Sequence, residues 1–134
     1  MPGLSMTQLP GPHNVLGNVK FIFPNSEKVY LHDTPDEQLF NRAKRAFSHG
    51  CIRVERPVDL VKYVLRDQHG WRDEEKIRHW METQDNKRVN LQSPLPIAIV
   101  YWTVRTGVDG KLQLAEDIYG YDERDIAAFQ SARR

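Results

Sequence analysis

The stretch "LPIAIVYWTVR", residues 95–105, is the feature that most constrains the fold. Its apolar side chains do not alternate with polar ones, so as a strand it presents apolar groups on both faces and has to be covered on both. It is therefore expected to be a buried strand. "TGVDG" follows it and "KLQLAED" follows that, so Asp109 and Gly110 turn the run into the first arm of a hairpin. "RVNLQ", 88–92, reads as one more short strand ahead of it. A second hairpin lies near the other end, where "VKFIF" and "KVYLH" flank the turn-forming "PNSE", with His32 ending the outgoing arm.

Between these strands the apolar period changes to that of helices. "DEQLFNRAKRAF" predicts a short helix, with Thr34 or Asp36 able to cap it. "PVDLVKYVLRDQHG" places Val58, Val61, Val64 and Leu65 on one face, begins on Pro57 and has Gly70 to close it. "DEEKIRHWMETQ" carries acids in its first turn and a narrow apolar face of Ile77, Trp80 and Met81. "DERDIAAFQSARR" predicts a short terminal helix. The fold class expected is mainly β with flanking helices, in one globular unit of 134 residues.

The totals exclude several classes of function. With Lys+Arg 19 against Asp+Glu 18 the net charge is +1, which argues against strong attraction to nucleic acid or acidic lipid. No apolar stretch is long enough for a membrane span, and the Pro- and Gly-rich opening is not of signal-peptide type. The partner has to be sought in local chemistry.

That chemistry centres on "RAFSHGCIRVERP", 45–57, which holds the single cysteine. One cysteine forms no internal disulfide, so the count is silent on redox compartment. Gly50 permits a sharp turn that exposes the thiol of Cys51, and His32 and His49 are two candidate bases. In an extended segment His49, Cys51 and Arg53 project to one side, where Arg53 is suited to a carboxylate. Bland readings stand beside these. A lone cysteine is often a buried, inert side chain, and Arg53 has Glu55 and Asp59 as ordinary partners. His32, Asp33, His49 and Cys51 are all zinc-capable, but their spacing matches no common zinc pattern. A papain- or NlpC-like peptidase would need a later histidine, and His69 and His79 fall on predicted helices. Trp80, Tyr101 and Trp102 are expected in the core, and Arg42, Lys44, Arg45 and Arg56 on a solvated face.

"HDT", with its histidine nineteen positions before the cysteine of "SHGCIRV", resembles the signature of L,D-transpeptidases, the YkuD-type catalytic domain of bacterial cell-wall enzymes. "GPHNVLGNVKFIFPN", "VYLHDTP", "LFNR" and "DIYGYD" resemble the YcbB-like branch, so the resemblance runs over residues 9–122. It implies a partial YkuD-like β-sandwich, with residues 9–134 the C-terminal portion of a catalytic domain and residues 1–8 a lead-in outside the family. Cys51 is then the nucleophile and His32 the base. Ser48, His49 and Gly50 shape the turn and oxyanion site, and Arg53 binds substrate. Neither a metal nor a cofactor is implied. The partners implied are peptidoglycan stem peptides in the periplasm or cell envelope, the inhibitors are carbapenems, and a sheet edge left unpaired by a partial domain invites self-association.

Overall fold

A computed structural model describes residues 13–48, 50–83 and 86–132. The chain divides into two compact units at the Leu95–Pro96 bond. The expected lead-in, 1–8, lies outside the described residues.

The first unit opens with an Asx-type turn, in which the Asn14 side-chain oxygen accepts from the Leu16 N–H and the Asn14 carbonyl from the Gly17 N–H. Strands β1 (Lys20–Phe21) and β2 (Leu31–His32) then pair antiparallel, as the alternating sequence predicts. Asn25 shapes the loop between them: its amide donates to the carbonyls of Phe23 and Val29 at 2.9 and 2.8 Å, and its side-chain oxygen accepts from the Val29 N–H. The chain next crosses over through a 3-10 helix, Glu37–Asn41, to strand β3 (Ile52–Arg53), which lies parallel to β2 with His32 opposite Arg53. The predicted α-helix here is thus a single tighter turn. Asp36 makes no side-chain cap; its backbone N–H donates to the Thr34 hydroxyl.

Helix α1 (Pro57–Val64) starts on proline as expected but stops six residues short of Gly70. Helix α2 (Glu74–Glu82) is capped by Asp73, whose carboxylate accepts from the N–H groups of Glu75 and Lys76. The core is where these helices meet. Ile77 is 1% exposed against Val61 and Leu65, and Val19 and Phe21 of the β1 region pack onto the same cluster. Glu74 binds Lys62 across the helix pair at 2.7 Å and Arg78 along its own helix at 2.8 Å. These bonds, that to Lys62 foremost, hold the Glu74 carboxyl down at about 2.

In the second unit β4 (Val104–Thr106) and β5 (Leu112–Leu114) form the predicted hairpin across Asp109 and Gly110. Helix α3 (Tyr121–Ser131) follows. Gly120, in the left-handed conformation, gives α3 no side-chain cap, and Asp117 substitutes by accepting from the Asp122 N–H at 2.7 Å while taking the Tyr101 hydroxyl at 2.6 Å. Tyr101, Tyr119 and Tyr121 cluster around it.

Three expectations are corrected. The 95–105 run is a strand only at its end, and Ile97, Ile99, Val100 and Trp102 are exposed, Trp102 to 69%. An apolar strand stays buried only between two covers, and within this unit the described elements do not provide them. "RVNLQ" likewise forms no strand. In consequence helical residues outnumber strand residues among those described, so the chain is a few short strands with three α-helices rather than mainly β.

Candidate active site

The site residues are gathered by the β2–β3 pair. The Ile52 N–H donates to the Tyr30 carbonyl and the Val54 N–H to the His32 carbonyl, which sets Leu31 opposite Ile52 and His32 opposite Arg53. Side chains alternate along each strand, so Tyr30, His32, Cys51 and Arg53 share one face and Leu31 and Ile52 the other. Antiparallel pairing of Lys20 with His32 adds Lys20 to the same face. Two strands far apart in sequence thereby bring the cysteine and a histidine to neighbouring positions.

His32 is buried, 4% exposed, and its Nδ1 lies 2.5 Å from the backbone carbonyl oxygen of Asp33. A carbonyl oxygen only accepts, so Nδ1 carries the proton and Nε2 of the neutral ring keeps a free lone pair. Asp33 fixes the ring with its backbone and the preceding turn with its side chain. Its carboxylate accepts from the N–H of Asn18 at 2.8 Å and of Thr34 at 2.7 Å. Gly17, at φ +59°, lies so close to that carboxylate that a Cβ there would collide with it.

Cys51 is half-buried. The turn before it is closed by Ser48, whose hydroxyl donates to the Cys51 carbonyl at 2.5 Å and accepts from the Gly50 N–H at 3.2 Å. Gly50 takes φ +143°, a conformation closed to L side chains. His49 lies outside the described residues. Tyr30 lies beside Cys51 in the β2–β3 register and meets the His32 ring edge to face at 5.8 Å. Burial first, and then the neighbouring Cys51, raise the Tyr30 phenol above its ordinary value. The Arg53 Nε is buried with no hydrogen-bond partner among the described residues. Neither Glu55 nor Asp59 engages it; Asp59 pairs with Arg56 instead.

Other candidates stand apart from this face. His69 and His79 are exposed, the first in a turn rather than a helix. Arg42, Lys44, Arg45 and Arg56 are exposed, in agreement with a solvated surface. Among the described residues no three His, Cys, Asp or Glu side chains are grouped to hold a metal ion, and no helix is long and apolar enough to cross a membrane. An open cleft of about 520 Å³ belongs to the second unit, between β4 and α3, and none of the candidate residues lines it.

The sequence pattern passed over two of these contributors. Asp33 had no assigned role, since a backbone carbonyl leaves no mark in residue type. Tyr30 was accessible to simple alternation, being two positions before His32 in a strand.

Comparison with known proteins gives the family. Residues 2–96 match the family model of the YkuD L,D-transpeptidase catalytic domain, a match that starts inside the stretch set aside as a lead-in and ends at the boundary between the two units. A Haemophilus influenzae protein provisionally named an L,D-transpeptidase is 37% identical over 111 residues, which is 83% of this chain. The chain spans only 22% of that relative's length.

Proposed function

Because this chain belongs to the YkuD family of L,D-transpeptidase catalytic domains, we propose that Cys51 is its nucleophile and His32 its general base, acting on peptidoglycan stem peptides. The observation that carries this reading is the parallel β2–β3 register, which sets Cys51 and His32 on one face while the Asp33 carbonyl holds Nδ1 and leaves Nε2 to receive a proton.

The Cys51 thiol gives its proton to His32 Nε2, and Sγ bonds to the carbonyl carbon of the diaminopimelate at the third stem position. The backbone N–H of Cys51, set by the turn that Ser48, His49 and Gly50 shape, steadies the resulting oxyanion. As the intermediate collapses, the bond to the terminal D-alanine breaks, and its amine leaves with the proton from His32. A thioester remains. The side-chain amine of a second stem attacks it, loses a proton to His32 and displaces the thiolate, which is reprotonated; water in that place gives carboxypeptidase action. Arg53, whose buried Nε is unpartnered among the described residues, is suited to a substrate carboxylate.

We take residues 9–134 as the C-terminal portion of a YcbB-like domain whose complete form is a β-sandwich, working in the periplasm or cell envelope and acylated by carbapenems. The exposed 95–105 run fits a sheet awaiting further strands, and it also offers an edge for self-association. Intact-mass measurement after meropenem exposure tests the assignment. One drug equivalent should add to the wild type and none to Cys51→Ala; a folded wild type that gains no mass refutes it.

A second reading has the chain bind peptidoglycan or a partner without turnover. Retention on murein sacculi that survives Cys51→Ala, without acylation of the unmutated chain, would select that reading.

A further inference from the structure

We propose that Lys20 is a specificity-determining residue of this site, its ammonium receiving the carboxylate of the D-alanine that leaves as Cys51 is acylated. This rests on the roles of Cys51 and His32 given above and adds to them a group on the leaving side of the reaction.

Strand register carries the inference. Lys20 of β1 stands opposite His32 of β2, and His32 stands opposite Arg53 of β3, so the three side chains form one row across the sheet. Neighbouring strands lie about 4.8 Å apart, which sets the two cationic residues roughly 10 Å from each other with the histidine between them. The Lys20 ammonium keeps to this face. It sits 4.6 Å from the centroid of the Tyr30 ring, and that ring meets His32 at 5.8 Å. Lys20 is exposed while His32 is buried, so a solvent-reachable cation stands beside an enclosed base. Among the described residues no carboxylate pairs with Lys20 or with Arg53. Asp33, the acid next to His32 in sequence, is already engaged by the N–H groups of Asn18 and Thr34. The row therefore carries two positive charges and no negative one, a pattern that attracts anions.

The order of the strands assigns the anion. Cys51 enters the face from the β3 side, and His32 on the central strand has to serve both the sulfur and the amine that departs from the acyl carbon. The acyl part of the substrate then lies toward β3 and the leaving amine over β2. In D-alanine one carbon separates amine from carboxylate, so with the amine at the imidazole the carboxylate extends onward to β1, where Lys20 waits. Arg53 is left for a carboxylate on the acyl side. A donor whose terminal carboxylate is free is thereby preferred to one in which it is capped.

The test is calorimetric titration of the whole chain in a Cys51→Ala background, where neither peptide is consumed. The probes are a tetrapeptide stem ending in diaminopimelate and D-alanine, and the same peptide ending in D-alanine amide, which differ only in the carboxylate. The free acid should bind about tenfold more tightly, the range of one hydrogen bond to a charged group. Adding Lys20→Met should weaken the acid to the level of the amide and leave the amide where it was, while Lys20→Arg should keep the preference. A folded Lys20→Met that retains the preference overturns the proposal, as does a loss shared equally by both peptides or a parent chain that shows no preference. Should Lys20→Met fail to fold, Lys20→Gln replaces it with the same criteria. Loss of the preference on Lys20→Met in a chain that meropenem does not acylate at Cys51 would support Lys20 and refute the transpeptidase reading. Acylation by meropenem with the preference unmoved would do the reverse, so the two failures are distinguishable.

Discussion

At the scale of single residues, two glycines and one aspartate determine whether the chemistry-bearing face is correctly assembled. Gly17 combines a left-handed backbone with a close approach to the Asp33 carboxylate. Gly17→Ala should therefore displace Asp33 and lower stability by about 1–3 kcal/mol, measured by urea denaturation. The meropenem acylation rate should fall with it, since Asp33 also holds His32. Gly50→Ala makes a contrasting prediction. Among the described residues its Cβ would meet only Val29, at 3.4 Å, so the penalty comes from the φ of +143° and falls on the turn that carries the sulfur. Acylation should drop about tenfold or more, a change of about 1.4 kcal/mol in barrier, with a smaller loss of stability than Gly17→Ala. The importance of Gly50 was visible in the sequence, because a glycine beside the only cysteine marks a turn. That of Gly17 was not, since its constraint is a side chain sixteen positions away.

At the scale of elements, helix signals translated well and strand signals did so only in part. Pro57 and Asp73 start α1 and α2 as the sequence indicates, and Asp73 bonds two N–H groups of the first turn of α2. Asp73→Ala should cost about 1 kcal/mol, read from the shift in urea midpoint. Ile77→Ala, at the contact of α1 and α2, should cost about 2–5 kcal/mol. Helices of this kind carry their instructions locally, in caps and a repeated apolar face. A strand such as 95–105 declares only that it wants covering, and its ladder depends on partners far away or elsewhere. That is why the first hairpin, with its loop held by Asn25, was legible, while the apolar run, expected as a buried strand, lies exposed. The parallel pairing of β2 with β3 was equally hidden. Two residues of ladder separated by a long crossover have no local signature.

At the scale of the whole molecule, acid should loosen each unit through one carboxylate. Glu74 and Asp117 both sit at about 2, the first through Lys62 and Arg78, the second through the Tyr101 hydroxyl and the Asp122 N–H. A carboxyl held lower in the folded state than in the unfolded chain stabilises above its unfolded value, and that contribution fades as pH falls through the folded value. Stability should thus decline between about pH 4.5 and 2, with tyrosine near-ultraviolet circular dichroism reporting the second unit. Glu74→Gln and Asp117→Asn should each flatten part of that decline. The exposed apolar run predicts self-association as well: sedimentation should depend on concentration, and Ile99→Lys should reduce the dependence. Finally, His32 and Cys51, the proposed base and nucleophile, stand at opposite ends of the crossover between β2 and β3, and Arg42, Lys44 and Arg45 lie exposed along it. That connection is a tether, and it gives the thiol a high local concentration at the imidazole. Trypsin acting at those basic side chains would sever the tether without touching either group, leaving the encounter to a ladder only two residues long.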